Sequence, residues 1–258
     1  MTNLTVGNTR IGYRTEGSGP ALVLVHGVGP GAGMWDALVD RFSDRHTVIL
    51  PDLGGSDAAE DDGSPLTIEA LATQVHAVIE DVGGGPADLV GFSMGAPTAA
   101  AAAALRPDLV RRLVPVAGLA HSGDEYLRQL VDAWLALTGN PEGFGRLGTL
   151  TSFTPPFLAG LGHEAVEQFH GFMSPTDARL RQLDLLQRLE IRALLPKIEA
   201  PTLVIGCTQD RTVPVANHRE LAAGIAGSEY IELDAGHVVP MERPDEFVKL
   251  IRDFLDHP

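Results

Sequence analysis

The pentapeptide Gly91-Phe92-Ser93-Met94-Gly95 constrains the fold of this 258-residue chain more than any other stretch. The apolar run that leads into it (89–92) is typical of a buried strand, and the alanine run that follows (99–105) favours a helix. A strand that turns at once into a helix crowds its backbone, and small residues on both sides of the turn relieve that crowding. The serine at the apex is then held in a strained conformation with its hydroxyl pointing outward, where a nucleophile is needed.

Strand and helix patterns alternate on both sides of this turn. Predicted strands cover 4–15 (two short strands), 21–25, 47–50, 89–92, 110–117, 202–206 and 230–233. Helical patterns cover 33–42, 67–82, 99–105, 215–226 and 244–255. This alternation predicts an α/β fold with a mostly parallel sheet covered by helices on both faces.

The stretch 119–198 breaks the alternation. It contains helical patterns at 125–137, 164–173 and 177–186, with glycines and prolines between them. We therefore predict a core formed by 1–118 and 199–258, and a helical insertion over 119–198, which we call the cap.

A serine hydroxyl becomes a nucleophile only when a base lies within hydrogen-bond reach and a third group orients that base. Ligands of open parallel sheets bind at the carboxyl ends of the strands, and Asp210 and His237 follow predicted strands there. Asp234 is an alternative acid, and Asp210 could instead cap the helix that follows it. The other histidines, His218 among them, show no partner spacing and are expected on the surface or in the cap.

In their order and context, these motifs resemble the α/β-hydrolase superfamily, in its serine-nucleophile branch. The resemblance covers almost the whole chain outside the cap. The matching pieces are His26-Gly27, the pentapeptide around Ser93, Asp210-Arg211 with Pro214, and Gly236-His237 with Glu242 and Pro244. The resemblance implies an eight-stranded, mostly parallel sheet. It also implies that Ser93 is the nucleophile, His237 the general base and then acid, and Asp210 the residue that orients His237.

The resemblance further implies an oxyanion hole formed by the backbone N–H groups of Val28 and Met94. One such donor is typically worth about 3 kcal/mol of transition-state stabilisation. His26 is expected to brace the oxyanion loop rather than to react. We expect the substrate pocket to include the following residues: His26, Gly27, Trp134, Phe153, Phe157 and Val238.

The expected reaction is hydrolysis of an ester, lactone or thioester of a medium-sized, largely apolar small molecule. The loop 26–32 is also similar to the oxyanion loop of C–C bond hydrolases, so hydrolysis of a diketone-type ring-cleavage product is an alternative. A third interpretation, from another class, is a ligand-binding or biosynthetic scaffold without hydrolytic activity.

Composition excludes several other classes. The formal charge of −15, from 34 acidic and 19 basic residues, argues against nucleic acid and anionic membrane surfaces as partners. One cysteine, Cys207, excludes an internal disulfide, and the first residues lack the pattern of a signal peptide. No spacing of metal-ligand type occurs. We expect a cytoplasmic monomer or homodimer that acts on a small molecule without a metal or cofactor.

Overall fold

The computed structural model describes residues 1–29 and 31–256. Pro30, within the loop compared with C–C hydrolases, and the last two residues of the predicted core lie outside this description. None of the described helices is long and apolar enough to cross a membrane.

Eight strands form one sheet, in the order β1-β2-β4-β3-β5-β6-β7-β8. The strands are β1 (Thr2–Val6), β2 (Thr9–Glu16), β3 (Ala21–Val25), β4 (Thr47–Asp52), β5 (Ala87–Phe92), β6 (Val110–Val116), β7 (Leu203–Cys207) and β8 (Glu229–Leu233). The pairs β1/β2 and β2/β4 are antiparallel and all the others are parallel. The predicted eight-stranded, mostly parallel sheet is confirmed. The central strands are unbroken apolar runs because helices cover both faces.

Helices pack on the two faces of the sheet in separate apolar layers. The flanking helices are a 3₁₀ helix (Ala32–Arg41), α1 (Ile68–Val82), α2 (Gly95–Leu105), α8 (Val215–Gly224) and α10 (Pro244–Asp256). One layer includes the apolar residues of α1, α2 and α8, and the other includes those of the 3₁₀ helix and α10. Within the second layer Trp35 stacks on Phe247, with ring centroids 6.3 Å apart. A short helix, α9 (Val239–Glu242), precedes α10 and was not predicted.

Five α-helices and a short 3₁₀ helix (Leu195–Lys197) lie between β6 and β7, where the cap was predicted. The α-helices are α3 (Glu125–Ala136), α4 (Pro141–Ser152), α5 (Pro155–Leu161), α6 (His163–Phe172) and α7 (Asp177–Gln187). The helices α4 and α5 were missed because their prolines read as interruptions. Pro141 and Pro155 instead occupy the first helical position, directly after the capping residues Asn140 and Thr154, and Pro156 occupies the second. The separation of the chain into core and cap units stays a prediction.

Candidate active site

The turn between β5 and α2 places Ser93 at the carboxyl edge of the sheet. Ser93 has a φ of 55°, a left-handed value that is rare outside glycine. A Cβ on Gly91 would lie 2.2 Å from the carbonyl oxygen of Gly95, and a Cβ on Gly95 would lie 2.4 Å from that of Val25. Both positions therefore require glycine, because the neighbouring atoms belong to backbone that cannot move aside.

Ser93, His237 and Asp210 form a continuous hydrogen-bonded chain. The Oγ of Ser93 lies 2.9 Å from His237 Nε2, and His237 Nδ1 lies 2.7 Å from Asp210 Oδ2. All three residues are buried. The alternative acid, Asp234, is exposed and accepts hydrogen bonds from Thr208 and Gln209. The sequence therefore singled out three residues that the fold brings together, and His237 pairs with Asp210 rather than with Asp234.

The carboxylate of Asp210 is held from several sides. Its Oδ1 accepts the backbone N–H groups of Thr212 and Val213, both at 2.8 Å. His218 Nε2 lies 3.5 Å from Oδ2, while His218 Nδ1 accepts the N–H of Cys207 and so leaves the ring proton on Nε2. Burial alone would raise the pKa of Asp210, but its interactions with His237 and with the nearby His218 lower the pKa below its usual range.

The expectation that the other histidines lie on the surface or in the cap is wrong for His46 and His76, which are buried outside the cap. It is also wrong for His218, whose side chain is fully buried beside Asp210. Its position eight residues after Asp210, in the helix that follows the same strand, is the signal that sequence reasoning did not use. Among the described residues, no group of three or more His, Cys, Asp or Glu is arranged to hold a metal ion.

The segment that carries His237 is bonded to the cap through two residues that follow the histidine, Val238 and Glu242. The carboxylate of Glu242 accepts the N–H of Thr154 at 2.7 Å and the hydroxyl of Thr154 at 2.9 Å, and it also accepts the N–H of Gly236 at 3.3 Å. The N–H of Val238 donates to the carbonyl of Ser152 at 3.2 Å. The orientation of His237 therefore depends on cap residues as well as on β8.

The predicted oxyanion loop, which follows β3, contacts the segment after β4 and the cap. His26 Nε2 accepts the N–H of Leu53 at 3.1 Å, and His26 Nδ1 lies 2.8 Å from the carbonyl oxygen of Gly27. Burial lowers the pKa of His26 despite the hydrogen bond to Gly27, so this ring is neutral at pH 7. From the cap, Gln182 Oε1 accepts the N–H of Gly29 at 2.9 Å.

A cavity of about 130 Å³ opens over Ser93 and His237. Its walls are mostly apolar and come from both the core and the cap. The ring of Phe92 contributes to the wall and packs against His237, with centroids 5.1 Å apart. From the cap the walls include Leu130, Val131, Trp134, Phe144 and Leu183.

The predicted pocket residues divide into two groups. Trp134 and Val238 lie in the walls of this cavity, as does Val28. Four others are not among its lining residues: His26, Gly27, Phe153 and Phe157. The ring of His26 is turned toward the backbone of Gly27 and Leu53, and the rings of Phe153 and Phe157 stack on each other at 5.3 Å. These four residues therefore lie outside the walls of this cavity.

Comparisons with known proteins show which family this chain is similar to. A model of the alpha/beta hydrolase family matches residues 22–250. The chain is 36% identical to pyrrolizixenacetamide deacetylase of Xenorhabdus hominickii over 260 residues, which cover 99% of this chain and 98% of that protein. It is 28% identical to a putative carbamate hydrolase of Azorhizobium caulinodans, covering 96% of each.

Solved structures give the same result. The enol-lactonase of Burkholderia xenovorans LB400 superposes with a TM-score of 0.87 at 28% identity, covering 99% of this chain and 100% of that one. The family match covers far more than half of the chain, and the relatives align along nearly their whole length. The chain therefore belongs to the alpha/beta hydrolase family of enzymes.

Proposed function

We propose that this enzyme hydrolyses a carboxylic ester or lactone of a small molecule through an acyl-enzyme on Ser93. One observation carries the proposal: His237 bridges Ser93 Oγ and Asp210 Oδ2 with hydrogen bonds of 2.9 and 2.7 Å, beneath an apolar cavity. This arrangement supplies a nucleophile, a base and a group that fixes the tautomer of the base.

In the first half of the reaction, Ser93 Oγ attacks the carbonyl carbon while His237 Nε2 takes the hydroxyl proton. Asp210 stabilises the resulting imidazolium, which its lowered pKa allows because the carboxylate stays ionised. The oxyanion is bound by the N–H groups of Val28 and Met94, neither of which has an acceptor among the described residues. Collapse of the intermediate breaks the bond to the alcohol, which leaves with the proton from His237.

In the second half, His237 takes a proton from water, and the hydroxide attacks the acyl carbon. The same N–H groups bind the second oxyanion. Collapse of this intermediate breaks the bond to Ser93 Oγ, which regains its proton from His237 and releases the carboxylic acid.

The choice of ester or lactone is supported by the cavity and by the relatives. The apolar walls favour an acyl or ring portion with few polar atoms. The superposed Burkholderia protein is named as an enol-lactonase. A second candidate is amide hydrolysis, since the relative at 36% identity is named as a deacetylase of an acetamide.

The proposal is tested with a substrate panel assayed on the wild type and on Ser93→Ala. The panel contains 4-nitrophenyl esters of two to eight carbons, five- and six-membered lactones, N-aryl acetamides and a vinylogous 1,5-diketone. We expect turnover of esters or lactones and its loss in Ser93→Ala, with unchanged thermal unfolding. Turnover confined to acetamides would favour the second candidate, and turnover confined to the diketone would favour C–C hydrolysis. Full activity in Ser93→Ala would overturn the mechanism.

A further inference from the structure

Arg179, on α7 of the cap, is a buried cation in the wall of the catalytic cavity. Only 5% of its surface is exposed, and it lines the same cavity as Ser93 and His237. Its Nη2 donates to the carbonyl of Phe172 at 2.9 Å, and its Nη1 donates to the carbonyl of Ser174. These carbonyls lie at the end of α6, whose dipole favours a cation there. The guanidinium is therefore fixed in place, although no charged group neutralises it.

Arg179 forms no ion pair within the described ranges 1–29 and 31–256. Asp57 acts on it through space, but the Asp57 carboxylate accepts the hydroxyl of Thr176 at 2.9 Å instead. Burial lowers the pKa of Arg179, which reflects the cost of holding its charge away from water. Charged side chains that are shielded from water are usually paired with an opposite charge. Arg181, two residues further along, is paired in this way with Asp61 at 2.5 Å. An arginine that is both buried and without a carboxylate partner is an exception in this chain.

The cavity itself has the opposite charge from the rest of the molecule. The chain carries a formal charge of −15, yet none of the described residues that line the cavity is Asp or Glu. The charged side chains in the walls are those of Arg128 and Arg179. Arg128 is largely exposed and lies 3.4 Å from Glu125, so its charge is already screened. Arg179 therefore contributes a positive charge to the cavity that no carboxylate in the walls pairs with.

The guanidinium also lies next to the oxyanion loop. Its Nη2 is 3.6 Å from the point where a Cβ on Gly29 would stand, and Val28 lines the same cavity. A group bound by Arg179 would thus enter the cavity together with the reacting carbonyl.

We propose that Arg179 binds a carboxylate of the substrate, so that the ester or lactone cleaved here carries one negative charge within an otherwise apolar body. This inference rests on the proposed function. A carboxylate fits better than a phosphate because its single charge matches one guanidinium, whereas a phosphate monoester carries a charge of about −1.5 to −2. Guanidinium and carboxylate also match in planar, two-point geometry.

The test compares charged and neutral substrates of matched shape. The substrates are 4-nitrophenyl hydrogen succinate, glutarate and adipate, each paired with a neutral ester in which an isopropyl group replaces the carboxylate. The variants are Arg179→Gln, Arg179→Lys and, as a matched control, Arg188→Gln. Arg188 follows α7, is 46% exposed at its side chain and is not a lining residue of the cavity.

We expect wild type to prefer at least one charged ester over its neutral partner by about 10-fold or more in kcat/KM. Arg179→Gln should lose about 100-fold on that charged ester while staying within about threefold on the neutral one. Arg179→Lys should recover part of the loss, and Arg188→Gln should match wild type. Neutral esters cleaved without any preference for a charged one, or equal losses on both in Arg179→Gln, would overturn the inference and leave the proposed function standing.

Binding without turnover keeps the inference testable if no ester is cleaved. Monomethyl succinate, glutarate and adipate are titrated calorimetrically into Ser93→Ala and into Ser93→Ala with Arg179→Gln. Binding of a monoester by the first protein, weakened about 100-fold in the second, would support the carboxylate site even if the proposed hydrolysis fails. An absence of binding to Ser93→Ala would overturn it.

Discussion

The two walls of the catalytic cavity are built in different ways. The core wall carries Ser93, Asp210 and His237 on loops that directly follow β5, β7 and β8, so that strand ends fix their positions. The cap wall presents side chains such as Trp134 and Phe144 from helices that pack on one another. In the core a displacement of the backbone moves a reacting atom. In the cap, away from the contacts that Ser152, Thr154 and Gln182 make with the core loops, it changes the shape of the space above.

Two glycines differ in the space that an added Cβ would have. A Cβ on Gly95 of the core would lie 2.4 Å from the carbonyl oxygen of Val25, whereas a Cβ on Gly171 of the cap would have nothing within 4 Å. The turn at Gly95 therefore has almost no tolerance for a larger residue, whereas the exposed position of Gly171 leaves room for one. We infer that the chemistry is specified by the core wall and the substrate range by the cap wall. The predictions below test that division.

The largest effect is expected at the acid of the core wall. Asp210→Asn should lower kcat by about 10³–10⁴-fold for every substrate, with little change in KM. The neutral amide stabilises the wrong tautomer of His237, and it does not stabilise the imidazolium that forms during the reaction. Asp234→Asn, the control, removes the alternative acid and should stay within about threefold of wild type. Steady-state kinetics of both variants check this. A larger loss in Asp234→Asn than in Asp210→Asn would contradict the assignment.

A substitution in the turn comes next. Gly95→Ala should destabilise the fold by about 3 kcal/mol or more, since the added methyl group meets backbone. Gly171→Ala, the control in α6, should raise the free energy of unfolding by about 0.4–1 kcal/mol. Urea denaturation of the three proteins measures both changes. Equal stability of Gly95→Ala and wild type would show that the backbone around the turn can move to admit a methyl group.

Glu242 connects the two walls, and its substitution should have an effect on kcat of intermediate size. Glu242→Ala removes the acceptor for Thr154 and Gly236, so we expect kcat to fall about 10- to 100-fold through misplacement of His237. Glu242→Gln keeps acceptor oxygen and should lose less. The exposed Glu246 provides the control, Glu246→Ala, which should behave as wild type. A change in KM alone, with kcat intact, would mean that Glu242 serves only the cap.

A substitution within the cap should change selectivity rather than chemistry. Phe144→Leu enlarges the cavity wall, so kcat/KM for six- to eight-carbon acyl esters should rise relative to acetyl esters by about 5- to 10-fold. The rate on acetyl esters should stay near that of wild type. A chain-length series measured on both proteins tests this. An equal loss of kcat/KM for every ester in the series would contradict this, because it would mean that Phe144 affects the chemical step and not the choice of acyl chain.

The smallest effect is on stability and concerns His26. Its folded pKa is lowered by burial from an ordinary value of 6.5, so between these two values the unfolded chain binds more protons than the folded one. Stability should therefore be constant above about pH 6.5 and fall as the pH decreases below it, by up to about 1.4 kcal/mol per pH unit. His76, whose pKa burial also lowers, adds to the same trend.

Urea unfolding at pH 7.5, 6.5 and 5.5 measures this dependence. His26→Asn should be less stable at pH 7.5, because it loses the bonds to Gly27 and Leu53, but its stability should vary less with pH. A wild-type stability that stays flat or rises on acidification to pH 5.5 would contradict the neutral, buried state of His26.

Most of the core wall could be predicted because its requirements are local. A glycine two residues before and after Ser93, and polar residues at strand ends, are visible in a linear sequence. The cap helices α4 and α5 were missed because a proline can both interrupt a helix and begin one, and the choice depends on the capping residue before it. The contacts of Gln182 with Gly29 and of Glu242 with Thr154 join residues that are far apart in the sequence. No short-range pattern encodes them.

The most direct test of the account is covalent labelling of Ser93. A fluorophosphonate reacts with a serine whose hydroxyl is activated by a neighbouring base, and intact-mass spectrometry counts the adducts. Wild type, Ser93→Ala and His237→Ala are incubated with the reagent under identical conditions. The account predicts one adduct on wild type and none on either variant. An unlabelled wild type, or an adduct that persists in Ser93→Ala, would contradict the central claim that Ser93 is an activated nucleophile.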